Sequence, residues 1–94
     1  MDLTEYFAKT AKTVDLDGFA VKVRKLTIKE HREHEARAKE AVSDTDWIAV
    51  HSQLIAVAAV EPKMTADAVQ ECLSVGDVVA LALAIVEHSN PKKT

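Results

Sequence analysis

Lysine and arginine are missing from a long stretch of this chain. None occurs between Lys63 and Lys92, while Asp67, Glu71, Asp77 and Glu87 all fall there. Such a segment cannot track a phosphate backbone, which is gripped through Lys and Arg, so nucleic acid is excluded as a partner of the C-terminal half. With only two glycines there is no glycine-rich phosphate loop. The single cysteine, Cys72, excludes an internal disulfide and suits a reducing compartment. Aromatic residues are scarce (one Trp, one Tyr, two Phe), so a core has to be built from Val, Leu, Ile and Ala. The longest apolar run, Val78 to Val86, falls far short of the roughly 20 residues that cross a bilayer. Met1-Asp2-Leu3-Thr4-Glu5 lacks the basic start and apolar run of a secretion signal. A soluble cytoplasmic protein is expected, with no membrane partner.

What is present fits one small domain. The chain has 94 residues, 48% of them hydrophobic, and a formal charge of -3 that singles out no polyionic partner. Residues 1–12 read as a flexible or weakly helical segment, with Leu3, Tyr6, Phe7 and Thr10 at helical spacing and no evident cap. Residues 13–25 read as a β-hairpin turning at Asp17-Gly18, a pair suited to the positive φ angles of a type I′ turn. With a two-residue loop, Val14, Leu16, Phe19, Val21 and Val23 share one apolar face. That face needs helices to rest on, since an isolated hairpin is marginal in water.

Four helices follow. Thr27-Ile28-Lys29-Glu30 has capping-box form and opens a charged helix over about 28–42, with Glu33–Arg37 and Glu35–Lys39 as i,i+4 pairs. Its thin apolar stripe of Ile28, Ala38, Ala41 and Val42 places it on the outside. The second, about 45–60, carries Val57, Val50, Leu54, Trp47, Ile55 and Ile48 on an arc near 180° at about 100° per residue, with Ala, Ser and Gln opposite. Pro62 ends it. A short helix over about 66–73 follows a Thr65 cap, with Met64 and Val69 as a hydrophobic staple. Ser74 caps the last, about 75–89, and 90–94 form a solvated tail with Asn90-Pro91 as the stop. The fold class is mainly α with a small N-terminal β-hairpin, an α+β domain spanning 13–89.

Catalytic chemistry finds little to stand on. Glu30-His31-Arg32-Glu33-His34-Glu35 holds the densest set of metal-ligand types, but Ala38 stands where His-Glu-x-x-His needs its second imidazole. His31 and His34 at i,i+3 have no further ligands to complete a site. Cys72 sits near a helix C-terminus beside Glu71, which disfavours a thiolate; it reads as buried filler. His51, at the centre of an apolar helix face, reads as a buried, hydrogen-bonded residue, and His88 has no triad partners. The two helices around Ser74-Val75-Gly76 are not a DNA-reading pair, because nothing before Asn90 on the second can read a base edge. No enzyme and no cofactor are expected.

The width of the apolar arcs is the informative feature. A surface helix needs an arc of about 100°, yet the last helix spreads Leu81, Ile85, Val78, Ala82, Val75, Val86, Val79 and Leu83 over about twice that. Either the helix is central to a tight core or it presents apolar surface to another chain. On the second reading Val78, Leu81, Ala82 and Ile85 pack inward, while Val75, Val79, Leu83 and Val86 face a partner or a second copy; the two faces could also be reversed.

The order of segments resembles a known family. Val21-Lys22-Val23-Arg24-Lys25-Leu26-Thr27 leads into the charged helix, Val60-Glu61-Pro62-Lys63-Met64-Thr65 follows the apolar one, and Leu73-Ser74-Val75-Gly76-Asp77-Val78 opens the last. From about Thr13 to Ser89 this is similar to the small tail assembly chaperones of long-tailed bacteriophages and their prophages. The resemblance implies a non-enzymatic assembly factor in the cytoplasm of the bacterial host, absent from the mature virion. It would bind the aggregation-prone tape measure protein, help recruit tail tube protein, and self-associate into a homo-oligomer. It also implies a longer frameshifted form, which Lys92-Lys93 fits. The competing expectations are a head–tail or tail connector retained in the virion, a generic helical interaction module, and a host regulator of antitoxin type, the last disfavoured by the missing basic surface.

Overall fold

The computed structural model describes residues 2–89. Among them the element order is α1 (Leu3–Thr10), β1 (Lys12–Leu16), β2 (Phe19–Val23), α2 (Ile28–Glu40), α3 (Asp44–Ala58), β3 (Ala59–Glu61), α4 (Ala66–Cys72) and α5 (Val75–Ser89). The architecture is mainly helical with a small antiparallel sheet near the N-terminus, an α+β domain as the sequence predicts. The expected 90–94 tail, with Lys92 and Lys93, lies outside the described residues.

The hairpin forms in the expected register, with Leu16 opposite Phe19 and Val14 opposite Val21. Asp17 and Gly18 both take positive φ, 56° and 96°, and Asp15 Oδ1 accepts from the Gly18 amide at 2.8 Å. Leu16, Val21 and Val23 are buried and Val14 is partly so; Phe19 shares their face but lies at the turn end and stays exposed.

The sequence missed a third strand. The α3 helix stops at Ala58, not near residue 60, and Ala59–Glu61 pair antiparallel with β2, Val23 opposite Ala59 and Lys22 opposite Glu61. Two local causes coincide. Glu61 precedes Pro62 and so avoids the α region, and one edge of β2 offers backbone groups that need partners. The Arg24 amide extends the seam, donating to the Ala58 carbonyl at 2.9 Å.

Side-chain caps set the helix starts. Thr27 with Glu30 and Ser43 with Asp46 are reciprocal capping boxes, Thr65 accepts from the Ala68 amide, and Ser74 accepts from the Asp77 amide at 3.2 Å. The N-terminal helix, expected to lack a cap, has one: Asp2 Oδ1 accepts from the Glu5 amide at 2.9 Å. The carboxylate also faces the positive end of the helix dipole.

The core joins β1 and β2 to α3, α4, β3 and α5, with Val21, Val23, Ile55, Val69, Val78, Leu81 and Ile85 fully enclosed. The buried face of α3 is rotated from the expected arc. Trp47 and Val57 are exposed at 42% and 38%, whereas Ser52 is completely buried. Ser52 can turn inward because its hydroxyl donates to the Ile48 carbonyl at 2.7 Å, so burial leaves no unmet hydrogen bond.

No residue of α2 is buried, and it lies outside as expected. Ile28 and Val42 do not form its inner stripe; both are exposed, leaving Ala38 and Ala41 partly covered. Neither Glu33–Arg37 nor Glu35–Lys39 closes to an ion pair among the described residues; His31 Nε2 takes Glu35 instead, at 3.4 Å. Among those residues no helix is long and apolar enough to cross a membrane.

Candidate protein-docking groove

The α5 helix divides cleanly. Val78, Leu81, Ala82 and Ile85 are buried, while Val75, Val79 and Leu83 are exposed at 61%, 48% and 56%. Val86, the fourth residue expected at an interface, is only partly exposed and packs against the core edge. The exposed three recur at i, i+4 and i+8, which makes one ridge along the helix.

Beside that ridge runs a groove of about 260 Å³, lined by Val79, Ala82, Leu83 and Val86 from α5, His51 from α3 and His34 from α2. Val75 lies beyond its lining, one turn up the ridge from Val79. Trp47 extends the histidine wall: its ring centroid is 5.7 Å from that of His51, and His51 is 6.4 Å from His34. Three helices therefore build a single apolar concavity with an exposed aliphatic ridge on one bank.

His51 is not the hydrogen-bonded buried residue that the sequence suggested. It is half-buried, and its Nδ1, like that of His34, is sealed from solvent with no hydrogen-bond partner. Burial pushes the His51 pKa below its ordinary value. Burial also lowers that of His34, aided by the nearby charges of His51, His31 and Arg37, with Glu35 opposing. Both imidazoles are thereby held neutral near pH 7, and the groove presents no formal charge.

The remaining candidates scatter. Cys72 is exposed, not buried filler: Val69 on α4 and Leu73 at its C-cap, four residues apart, take the inward positions and leave Cys72 outside. His31 turns to Glu35 while His34 faces His51, so the two share no common focus. No group of three or more His, Cys, Asp or Glu able to hold a metal occurs among the described residues. His88 Nε2 meets the Thr10 carbonyl, and because a carbonyl only accepts, that nitrogen carries the proton. The bond ties the end of α1 to α5.

The pairing of His34 with His51 was the part that sequence reasoning overlooked, although a signal existed. The link between α2 and α3 is only Ala41–Ser43. After so short a turn, residues about equally distant from it on the two helices can face one another, as His34 and His51 do.

No protein-family model matches this chain, and no curated protein or solved structure is significantly similar to it.

Proposed function

We propose that this chain is a non-enzymatic assembly chaperone that holds an apolar helix of a partner against the α5 ridge and its groove. The observation that carries the reading is the exposure of Val75, Val79 and Leu83 on a helix whose opposite face is entirely in the core. Each of the three is about half exposed, so covering one contributes about half of the 1.5–3 kcal/mol of full burial, and a complementary helix gains that at three positions. The neutral His34 and His51 beside the ridge avoid the desolvation penalty that a charged wall would impose.

Joined to the segment order from Thr13 to Ser89, this chemistry supports a specific role. The chain is a tail assembly chaperone of a long-tailed bacteriophage or prophage. It works in the host cytoplasm, binds the tape measure protein, aids the addition of tail tube subunits, and stays out of the mature virion. A second copy uses the same ridge when the tape measure protein is absent, giving a homo-oligomer.

A tape measure gene next to this one is the expected neighbour, and co-expression with its product tests the reading. The wild type should keep that protein soluble and co-purify with it, and Leu83→Glu should lose both effects while its circular dichroism spectrum is retained. Mass spectrometry of purified virions should find no copy of the chain. Its presence there at fixed stoichiometry would instead identify a structural connector.

A further inference from the structure

We propose that His34 and His51 form a proton-operated latch: protonating them drives α2 away from α3, so that the groove beside the α5 ridge exists at neutral pH and is dismantled in mild acid. The latch is a property of the fold alone, and only its use in releasing a partner rests on the function proposed above.

The geometry leaves an added proton no favourable place. Protonated imidazole carries a proton on both ring nitrogens, yet Nδ1 of each ring is sealed with no partner among the described residues. A donor forced into such a position keeps its full desolvation cost. Neighbouring charges help little, since only Glu35 favours a proton on His34 while His51, His31 and Arg37 oppose it. Facing the pair are Trp47 from α3 and Val79, Ala82, Leu83 and Val86 from α5, none of them charged. From α2 itself come His31, Arg37 and Glu35. The one carboxylate of this set, Glu35, lies 3.4 Å from His31 Nε2 and makes no hydrogen bond to either imidazole of the pair. The two rings are also each other's neighbours at 6.4 Å, and charging both adds mutual repulsion.

The strain has one easy outlet. The α3 and α5 helices contribute Ile55, Leu81 and Ile85 to the enclosed core, whereas α2 has no fully buried residue and is held at its start by the Arg24–Glu30 pair, so that its later turns, with His34, can lift about that anchor. Lifting α2 hydrates both imidazoles at the least cost in buried area. The sign follows from proton linkage. Both groups are pushed below the ordinary 6.5 in the closed form, so the open form binds more protons as pH falls below that value. Opening carries no protonation advantage above pH 6.5 and gains one progressively below it.

Hydrogen exchange with mass spectrometry, corrected for intrinsic exchange rates, tests this between about pH 7.5 and pH 5.5. Amide protection of α2 should fall about tenfold or more in the wild type, while α3 and α5 keep theirs. In the double variant His34→Gln with His51→Gln the protection of α2 should no longer depend on pH. If that variant fails to fold, His34→Gln alone removes the mutual repulsion from the exposed helix, and its fall should be smaller than in the wild type. An α2 that stays protected in acid, or loosens equally without the imidazoles, would overturn the latch. Binding of a synthetic amphipathic Leu/Ala helix of about 20 residues, read by Trp47 fluorescence at both pH values, separates the two claims. Loss of binding in acid supports the latch as a release device, and equal binding at both overturns it. Absence of binding at any pH, with α2 still opening in acid, would sink the proposed function and leave the latch standing.

Discussion

Arg24 holds Glu30 through two parallel hydrogen bonds, Nη1 to Oε1 and Nη2 to Oε2, each 2.8 Å long. The same guanidinium lies 4.6 Å from the Phe7 ring centroid, and its Nη1 also donates to the Lys25 carbonyl at 2.9 Å. One side chain at the end of β2 thus ties the start of α2 and the middle of α1 to the sheet. The arrangement is tertiary and partly buried, unlike the exposed i,i+4 pairs expected on α2, which contribute only a few tenths of a kcal/mol each.

The pair makes stability depend on pH in a defined window. Hydrogen bonding from Arg24 is the main reason that the Glu30 pKa drops from 4.5 to about 2, with the Thr27 cap contributing. Because the folded value is depressed, the contribution is fully present above pH 4.5 and is lost as pH falls toward 2. Glu30→Gln should cost about 1.5–3 kcal/mol at neutral pH. Urea unfolding of both proteins at several pH values checks this: the gap between them should hold near neutrality and close in acid. A gap that does not change with pH would mean that Glu30 stabilises only as a cap.

The two faces of α5 should separate stability from binding. Leu81 is fully buried, whereas Leu83, two residues on, is 56% exposed. Leu81→Ala should cost about 2–5 kcal/mol through lost burial and the cavity left behind. Leu83→Ala should change monomer stability by no more than about 0.5 kcal/mol. Chemical denaturation measures both. A large loss at Leu83 in a dilute monomer would place that residue in the core and undo the docking surface.

How much of this was legible follows from the range of each signal. The hairpin, the caps of α2 to α5 and the inward face of α5 rest on neighbours within four or five residues, and the pattern carries them; the Asp2 cap of α1 is equally local and was overlooked. Where the deciding partner is distant in sequence, the pattern is silent. Ala59–Glu61 became a strand because β2 offered an edge. Ser52 is a local exception: its hydroxyl reaches back only four residues to Ile48, but an apolar count scores serine as polar and so misaligns α3 with its true inner face. For the groove, the aliphatic bank was readable from helical spacing, but the histidine bank required α2 and α3 to be brought together. Cys72 was misplaced for a related reason: on a helix as short as α4, the core contacts of Val69 and Leu73 fix the orientation.

The turn of the hairpin gives a test free of packing effects. Gly18 has φ of +96°, and a Cβ built there would meet no atom within 4 Å. Any cost of Gly18→Ala therefore comes from backbone conformation alone, about 1–2 kcal/mol. Gly18→Asn should recover part of it, since Asn tolerates positive φ better than Ala. Thermal unfolding of the three proteins should rank them Gly, Asn, Ala; equal stability of the Gly and Ala forms would contradict the turn geometry.

The N-terminal helix is attached rather than packed, and its removal should show this. No residue of α1 is buried. Its ties are the Phe7 ring beside Arg24, the Tyr6 ring 6.0 Å from Lys25 Nζ, and the Thr10 carbonyl that accepts from His88. Exposed cation–π contacts contribute about 0.5–1 kcal/mol each, and none of the enclosed core side chains comes from α1. Deleting residues 2–10 should therefore lower stability by only about 1.5–3.5 kcal/mol, the sum of those contacts and one hydrogen bond. The Arg24–Glu30 pair should survive, because none of its atoms depends on α1, so the acid sensitivity assigned to Glu30 should persist in the shortened chain. Denaturant unfolding at neutral and acid pH checks both expectations together. Collapse of the fold on deletion would mean that α1 covers core surface, and loss of the acid sensitivity would mean that Phe7 positions the guanidinium.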